Sequence, residues 1–370
     1  MKIEGVTTLR LRVDPHHLDD ATSGQAIDQA AAILRRGGLV AMPTETVYGL
    51  AASALDAKAV ARIFAAKQRP SWDPVIVHIA GPIGQNPMLA QLVTEIPERA
   101  HKLMNAFWPG PLTLLLPRST AVPDSVTAGR PLVGVRMPAH PVAFELIRRA
   151  ALPLAAPSAN VFGHTSPTTA AHVLDDLDGR IDAVLDAGPT NHGVESTVLD
   201  PRTTPMILYR PGAVTAEQIE RVAGAVVRFQ SNADEPATPR DALPSPGVGM
   251  RHYAPLAKLV LLDANLEDLP QRFAAEAADY AGEKIGLMVP AEVRPTMPYL
   301  PDAILFTWGR WCSTEELARN LFAGLRFLDG QGCAVILCPV PPEEGLGSAI
   351  RDRLRKAAQP PGTGDASTMG

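Results

Sequence analysis

The chain has 370 residues, 46% of them hydrophobic and 20% charged, with a formal net charge of −5. At about 150 residues per domain this length predicts about two domains, each able to bury a core, and the composition is that of a globular rather than a disordered protein. The negative balance gives no general basic footprint for nucleic acid, and no run approaches the ~18 apolar residues of a membrane span.

The opening segment, MKIEGVTTLRLRVDPHH, lacks the charged-then-apolar pattern of a secretory signal. From residue 21 to about 212, short apolar runs alternate with helical patterns. GLVAMPT reads as a strand, and PTETVYGL (43–50) then lies where a loop meets a ligand, ahead of the helical run AKAVARIFAAK. The strand-like DPVIVHIA follows, then a long amphipathic stretch to Phe107, then PLTLLLP, PLVGVRMP, helical PVAFELIRRA and IDAVLDAG. Such alternation predicts an α/β domain with a mixed sheet, because helices and buried strands must cover one another.

Between residues 215 and 254 the pattern breaks down. One short helix (AEQIERVAG) and one short run (AVVRF) give way to QSNADEPATPRDALPSPGVGMRHYAP, whose prolines and small polar residues build no core. Two readings stay open for this stretch: an inert spacer, or a functional lid carrying the MRHY cluster. A second alternation follows Pro255: AKLVLLD, a helical stretch through Tyr280, KIGLMVP, AILFTWG, helical STEELARNLFAGLRFLD, GCAVILCPV and a last helix from about Gly347. Its order, β-α-β-β-α-β-α, fits a small doubly wound sheet. The expected division is a catalytic domain over 1–213, a linker or lid over 214–254, a second domain over 255–357 and a disordered tail over 358–370. Cys312, Cys333 and Cys338 show no C-x-x-C spacing and are odd in number, so they are expected to be reduced core thiols of a cytoplasmic protein.

Familiar chemistry is missing from the motifs. GPTNHGVES spaces Gly188 and Gly193 as a phosphate loop would, but Val194 stands where lysine is required, and G-x-G-x-x-G, H-E-x-x-H and G-x-S-x-G do not occur. What remains is a scatter of polar residues at strand ends and loops. Lys67 and Arg69 in AAKQRP follow a helix that Pro70 stops; they either complement the helix dipole or hold an anion. Arg136 interrupts an apolar strand and needs a partner anion, from the protein or from a ligand. His78 in VIVHIA is either a satisfied core residue or part of a site. Ser158 and Asn160 in APSAN lie two apart, on one side of an extended chain, and either form a turn or face a ligand. Ser196 and Arg210 flank strands in GVESTV and LYRPG.

Taken together, PTETVYGL, KQRP, DPVIVH, VRMP, APSAN, GVESTV and RPG, in this order and spacing, resemble the YrdC-like family. SPGVGMRHYAP and the second α/β domain resemble the family's long form, the two-domain threonylcarbamoyl-AMP synthases, so that the resemblance spans about residues 20 to 356. It implies a YrdC-like mixed, twisted sheet with a cationic cleft, plus a smaller Rossmann-like C-terminal domain. It also implies an activity: L-threonine, bicarbonate and ATP become threonylcarbamoyl-AMP and pyrophosphate. A tRNA threonylcarbamoyl transferase then takes the product to the adenosine 3′ of the anticodon, with weak or no direct tRNA binding here.

By the same resemblance Thr46, His78, Arg136, Ala156 and Ser196 would bind L-threonine. Lys67, Arg69, Asp73, Leu132, Ser158, Asn160, Ser166 and Arg210 would face ATP, and Arg251, His252 and Tyr253 would form the lid. Mg2+ would come with ATP, no protein ligands for it are assigned, and no organic cofactor is implied. Asp73 departs from the asparagine expected in many relatives, and Leu132 from a commoner threonine. An RNA-binding module is the alternative of another class. A carbamoyl-adenylating domain of hydrogenase maturation is a further one, but it would bring zinc-finger cysteines and an acylphosphatase-like segment that this chain lacks.

Overall fold

A computed structural model of the chain describes residues 7–229 and 252–359. Most of the expected lid, Arg251 included, and the expected tail from residue 360 lie outside the described residues. The chain divides into two compact units, the first holding residues on both sides of a short excursion, Gly163–Ser166, that groups with the second.

In the first unit the described residues form one mixed sheet of eleven strands. They are β1 (Leu9–Arg12), β2 (Val40–Met42), β3 (Gly49–Ser53), β4 (Ile76–His78), β5 (Leu112–Pro117), β6 (Leu132–Arg136), β7 (Leu154–Ala155), β8 (Ala183–Asp186), β9 (Thr197–Asp200), β10 (Met206–Arg210) and β11 (Val227–Phe229). Their spatial order is β1-β8-β2-β3-β7-β4-β6-β5-β9-β10-β11. Strands β2, β4 and β6 are apolar and almost wholly buried, as strands covered on both faces must be.

Alternation assigns the two faces. Val40 and Met42 of β2 join a core built with Ile27, Ile33 and Leu34 of helix α1 (Ala21–Arg35), while Ala41 between them joins another core. That second core takes Val60 and Ile63 from α2 (Ala57–Lys67), and continues through α3 (Pro87–Leu92), α4 (Glu98–Phe107), the short α5 (Asp124–Thr127) and, past α6, α7 (Ala170–Leu177). Helix α6 (Pro141–Ala150) packs with α1 on the first face through Val142, Leu146 and Ile147.

PTETVYGL is not a strand-to-helix loop: residues 43–48 join β2 to β3, which pair antiparallel, and the helix begins only at Ala57. The sequence hid this because GLAAS, with small residues only, carries no strand signature of its own, yet all five residues are buried as β3. Gly49 lets β3 approach the end of β7, since a Cβ there would sit 3.3 Å from the Ala156 Cβ. The long stretch to Phe107 is two helices, not one. The sheet also continues into the segment expected as linker: α8 (Ala216–Ala223), closed by a capping box of Thr215 and Gln218, returns the chain to β11, which pairs parallel to β10.

The second unit is built on a parallel four-stranded sheet. Strands β12 (Lys258–Leu262), β13 (Ile285–Pro290), β14 (Ala303–Gly309) and β15 (Val335–Pro339) lie in the order β12-β15-β13-β14. Helices α9 (Leu269–Ala278), α10 (Thr314–Gly330) and α11 (Gly347–Ala357) supply its helical layers. Cys333 and Cys338 are buried, but Cys312 is exposed in the turn before α10, so it is not a core thiol. Trp308 closes that turn, its indole N–H donating to Leu317 O at 2.7 Å.

Helix α10 lies so close to the sheet that a Cβ at Gly324 would come within 2.5 Å of Met288 Sδ and 2.7 Å of Phe306 Cδ1. Gly324→Leu is therefore expected to destabilise the second unit by about 1–3 kcal/mol through overpacking, read as a lower urea midpoint for that unit's transition.

Candidate active site

Two polar clusters are embedded in the first unit, and β6 ends in one of them. Arg136, the last residue of β6, lies opposite His78, the last of β4, because the two strands pair parallel in register. Its guanidinium is buried and fully engaged on three sides. Nε donates to Gly110 O at 3.2 Å, Nη1 donates to Thr46 Oγ1 at 3.0 Å, and Nη2 lies 2.7 Å from Glu45 Oε1 in a buried ion pair. The anion that the sequence demanded for Arg136 is thus a protein carboxylate.

The 43–48 loop presents these groups in a fixed pose. Thr44 Oγ1 donates to Val47 O at 2.6 Å and accepts from the backbone N–H groups of Thr46 and Val47. Its hydrogen being committed, the 2.8 Å contact between the two threonine hydroxyls makes Thr46 the donor. Thr46 Oγ1 then accepts from Arg136 and keeps acceptor capacity for a ligand cation. The loop is tied from behind as well: His192 N donates to Glu45 O and Gly193 N to Thr46 O.

Electrostatics follow the geometry. Burial alone would lift the Glu45 carboxyl, but the Arg136 guanidinium beside it, with a smaller contribution from the Ala139 N–H, holds it below the usual carboxylate range. His78 is pushed down to about 3, first by burial and then by Arg136, so it is neutral near pH 7. His140, whose Nδ1 accepts from Val142 N at the head of α6, is also lowered by burial.

The second cluster is cationic. Lys67 and Arg69 do not project into solvent, as the dipole reading requires: Lys67 is 1% exposed and Arg69 8%. Gln68 turns left-handed at φ 54° and closes α2, which carries the chain inward. Lys67 Nζ donates to the backbone carbonyls of Ser158 and Asn160, both at 2.5 Å, so the S-x-N spacing serves here through main-chain oxygens. Arg69 donates to Pro74 O at 2.6 Å and pairs with the Asp73 carboxylate at 2.9 Å. Burial pushes the Asp73 carboxyl up against the pull of Arg69, Lys67 and Arg210.

Ser196 stands next to this group. Its hydroxyl accepts from Arg210 Nη2 at 3.1 Å and contacts Thr113 Oγ1 at 2.8 Å, while Arg210 Nε donates to Ser196 O. Gly212 makes the approach possible, since a Cβ there would meet Thr197 N at 2.4 Å and Glu195 O at 2.6 Å. Ala156 is buried between the strands, its N–H donating to Ile76 O, and Leu132 opens β6, half-buried, beside a small hollow that Pro74, Val126 and Arg130 also line.

Three further expected residues belong to segments that group with the second unit. Ser166 is fully buried, in the short segment Gly163–Ser166. His252 and Tyr253 are buried in that unit too, with the Tyr253 ring stacked 5.8 Å from Phe322 and 5.2 Å from the Arg353 guanidinium. Glu45, Thr44, Thr113 and His140 were not foreseen. Only Glu45 left a trace in the sequence, as a charge between two threonines in an apolar neighbourhood.

A family profile described as telomere recombination, covering Sua5, YciO and YrdC proteins, matches residues 32–212, and one described as threonylcarbamoyl-AMP synthase, C-terminal domain, matches residues 214–359. The chain is 43% identical to the threonylcarbamoyl-AMP synthase of Pyrococcus abyssi, over 89% of this chain and 93% of the relative. It is also 43% identical to the Bacillus subtilis protein of the same name, over 91% and 94%. Among solved structures it is similar to P. abyssi Sua5 complexed with L-threonine, with TM-score 0.84, 42% identity and coverage of 95% of this chain and 98% of that one.

His78 binds its proton far less readily in the fold than in the unfolded chain, where its ordinary value is near 6.5. The unfolded state therefore takes up the extra proton between pH 6.5 and about 3, and stability falls as pH drops through that window. In His78→Gln the pH dependence of the urea midpoint is expected to flatten there by about one proton, relative to the unsubstituted protein.

Proposed function

This chain belongs to the Sua5 family of threonylcarbamoyl-AMP synthases, and on that premise we propose that its first unit makes L-threonylcarbamoyl-AMP from L-threonine, bicarbonate and ATP, releasing pyrophosphate. This is the first step of threonylcarbamoyladenosine formation in tRNA. The observation that carries the nucleotide side is the burial of Lys67 and Arg69 at the end of α2, with Arg69 paired to Asp73. Bound there, a triphosphate meets the Lys67 point charge, held by two carbonyls, and the guanidinium forks of Arg69 and Arg210.

L-Threonine takes the other cluster. Its carboxylate suits Arg136, its ammonium the spare lone pair of Thr46 and the Glu45 carboxylate, and its remaining atoms lie toward His78, Ala156 and Ser196. Ser196 also touches Arg210, which brings the amino acid and the phosphates to one hydroxyl. The reaction needs no protein nucleophile: the amine attacks bicarbonate carbon, and the carbamate oxygen then attacks the α-phosphorus. Orientation and stabilisation of the phosphate charge are the enzyme's work, which matches a site of cations and hydroxyls.

Leu132, Ser158 and Asn160 complete the nucleotide side, the latter two by fixing Lys67. Mg2+ would arrive with the phosphates, to neutralise charge on them. Among the described residues no group of three His, Cys, Asp or Glu forms a cage, and Asp73 is committed to Arg69, so phosphate oxygens and water would supply most of its ligands. The adenylate passes to a transferase acting on tRNA. No helix of the described residues is long and apolar enough to cross a membrane.

Mass spectrometry of products formed from ATP, bicarbonate and isotope-labelled L-threonine is expected to show the labelled threonylcarbamoyl adenylate. Pyrophosphate should appear only when both co-substrates are present. Equal release without threonine would count against the reading.

Lys67→Ala and Arg69→Ala should each lower turnover by about 100-fold or more, as loss of an oxyanion donor does. Because both side chains are buried, each variant should also lose about 1–3 kcal/mol of stability by leaving carbonyls without their donors. Near-native turnover in both, measured under folded conditions, would remove the cation cluster from the site.

A further inference from the structure

Glu45 is a buried carboxylate whose one ionic partner is Arg136 among the described residues. It sits 6% exposed on the 43–48 loop, its Oε1 is 2.7 Å from Arg136 Nη2, and neither of its oxygens completes a well-aligned hydrogen bond among the described residues. An apolar neighbour would suit the loop if Arg136 had another anion. Glu45 therefore serves as the counter-ion that Arg136 holds while the site waits. What it does when a zwitterion arrives follows from the same geometry.

We propose that Glu45 is the proton acceptor that frees the L-threonine amine, and that Arg136 switches it on by exchanging its carboxylate for that of the substrate. The proposal rests on the placement of L-threonine at Thr46 and Arg136 argued above. A matched pair of opposite charges, Glu45 and Arg136, meets a ligand carrying the same two charges, and each end of the zwitterion takes the complementary member. With Arg136 neutralised by the substrate carboxylate, the attraction that kept Glu45 ionised weakens while its burial persists, so its affinity for a proton rises.

The groups facing Glu45 leave few other bases. Arg136 on β6 is a permanent cation. His78 on β4 and His140 at the head of α6 are buried and both resist protonation, and a proton on His78 would add a second cation beside Arg136. A proton on Glu45 instead removes a buried charge. The step balances as follows. The ammonium gives one proton to the Glu45 carboxylate, leaving a neutral amine. The amine nitrogen bonds to the bicarbonate carbon, the carbon–hydroxyl bond breaks, and the departing hydroxide takes the second N–H proton and leaves as water. The carbamate remains, and Glu45 returns its proton to solvent after the product departs.

The test uses the full chain with Glu45→Gln and Glu45→Asp, in two directions. The forward assay measures pyrophosphate from ATP, bicarbonate and L-threonine across pH. The reverse assay measures ATP from threonylcarbamoyl-AMP and pyrophosphate, a half-reaction in which the carbamate is the leaving group and no amine is deprotonated. Glu45→Gln is expected to lose about 100-fold or more in the forward rate, with the residual rate climbing as pH rises toward the pKa of the free amine, and to keep the reverse rate within a few-fold of the parent. Glu45→Asp, which keeps the charge, should recover part of the forward rate.

An unchanged forward rate and pH profile in Glu45→Gln would overturn the proposal. So would equal losses in both directions that Glu45→Asp does not repair, since Glu45 would then only hold Arg136 in place. If the parent protein itself makes no threonine-dependent pyrophosphate, the placement of threonine fails first, and this proposal with it.

Discussion

A guanidinium at the end of a central strand is the constraint from which the first unit is arranged. Arg136 is buried with His78 in register beside it, and a charge in such a place requires an opposite charge and a full set of acceptors. The fold supplies them from two separate stretches: Gly110 from the segment before β5, and Thr46 and Glu45 from the β2–β3 connection. Removing one partner of a buried pair costs about 3–5 kcal/mol, whereas exchanging the pair for apolar groups is often neutral. The pair is therefore weak evidence for stability and better evidence for a site that must meet charge.

Around that point the architecture works by strand ends. β4 and β6 stop at His78 and Arg136, β7 stops short of Ala156, and the carbonyls of Ser158 and Asn160 follow. β9 and β10 bring Ser196 and Arg210 together, with Gly212 permitting the close pass. Helix α2 delivers Lys67 and Arg69 from the other side, turned inward by a left-handed Gln68. The result is two polar clusters, one of Arg136 with Glu45 and Thr46 and one of Lys67 and Arg69 with Asp73. Chemistry that joins an amino acid to a nucleotide without a covalent enzyme intermediate asks for that division.

The second unit is held together by different means. Its parallel sheet is covered by α10, which packs at glycine distance over Met288 and Phe306, and it takes Tyr253 between Phe322 and Arg353. Its aromatic and apolar contacts are those of a core.

The sequence alone determined the α/β class, the order of the second unit's elements and the residue types of the site, because hydrophobic period and punctuation are local properties. The motifs also carried the family. What tertiary structure decided is which of these residues share a space. β3 was hidden by its small side chains and β7 by its two-residue length, and with them the fact that PTETVYGL bridges two antiparallel strands. Burial reversed the expectation for Lys67 and Arg69, since positions at and just past a helix end read as exposed until the direction of the chain beyond them is known. The partner of Arg136 lay 91 residues earlier, at Glu45, and no local pattern connects positions so far apart; only the pairing of strands brings that carboxylate to that guanidinium.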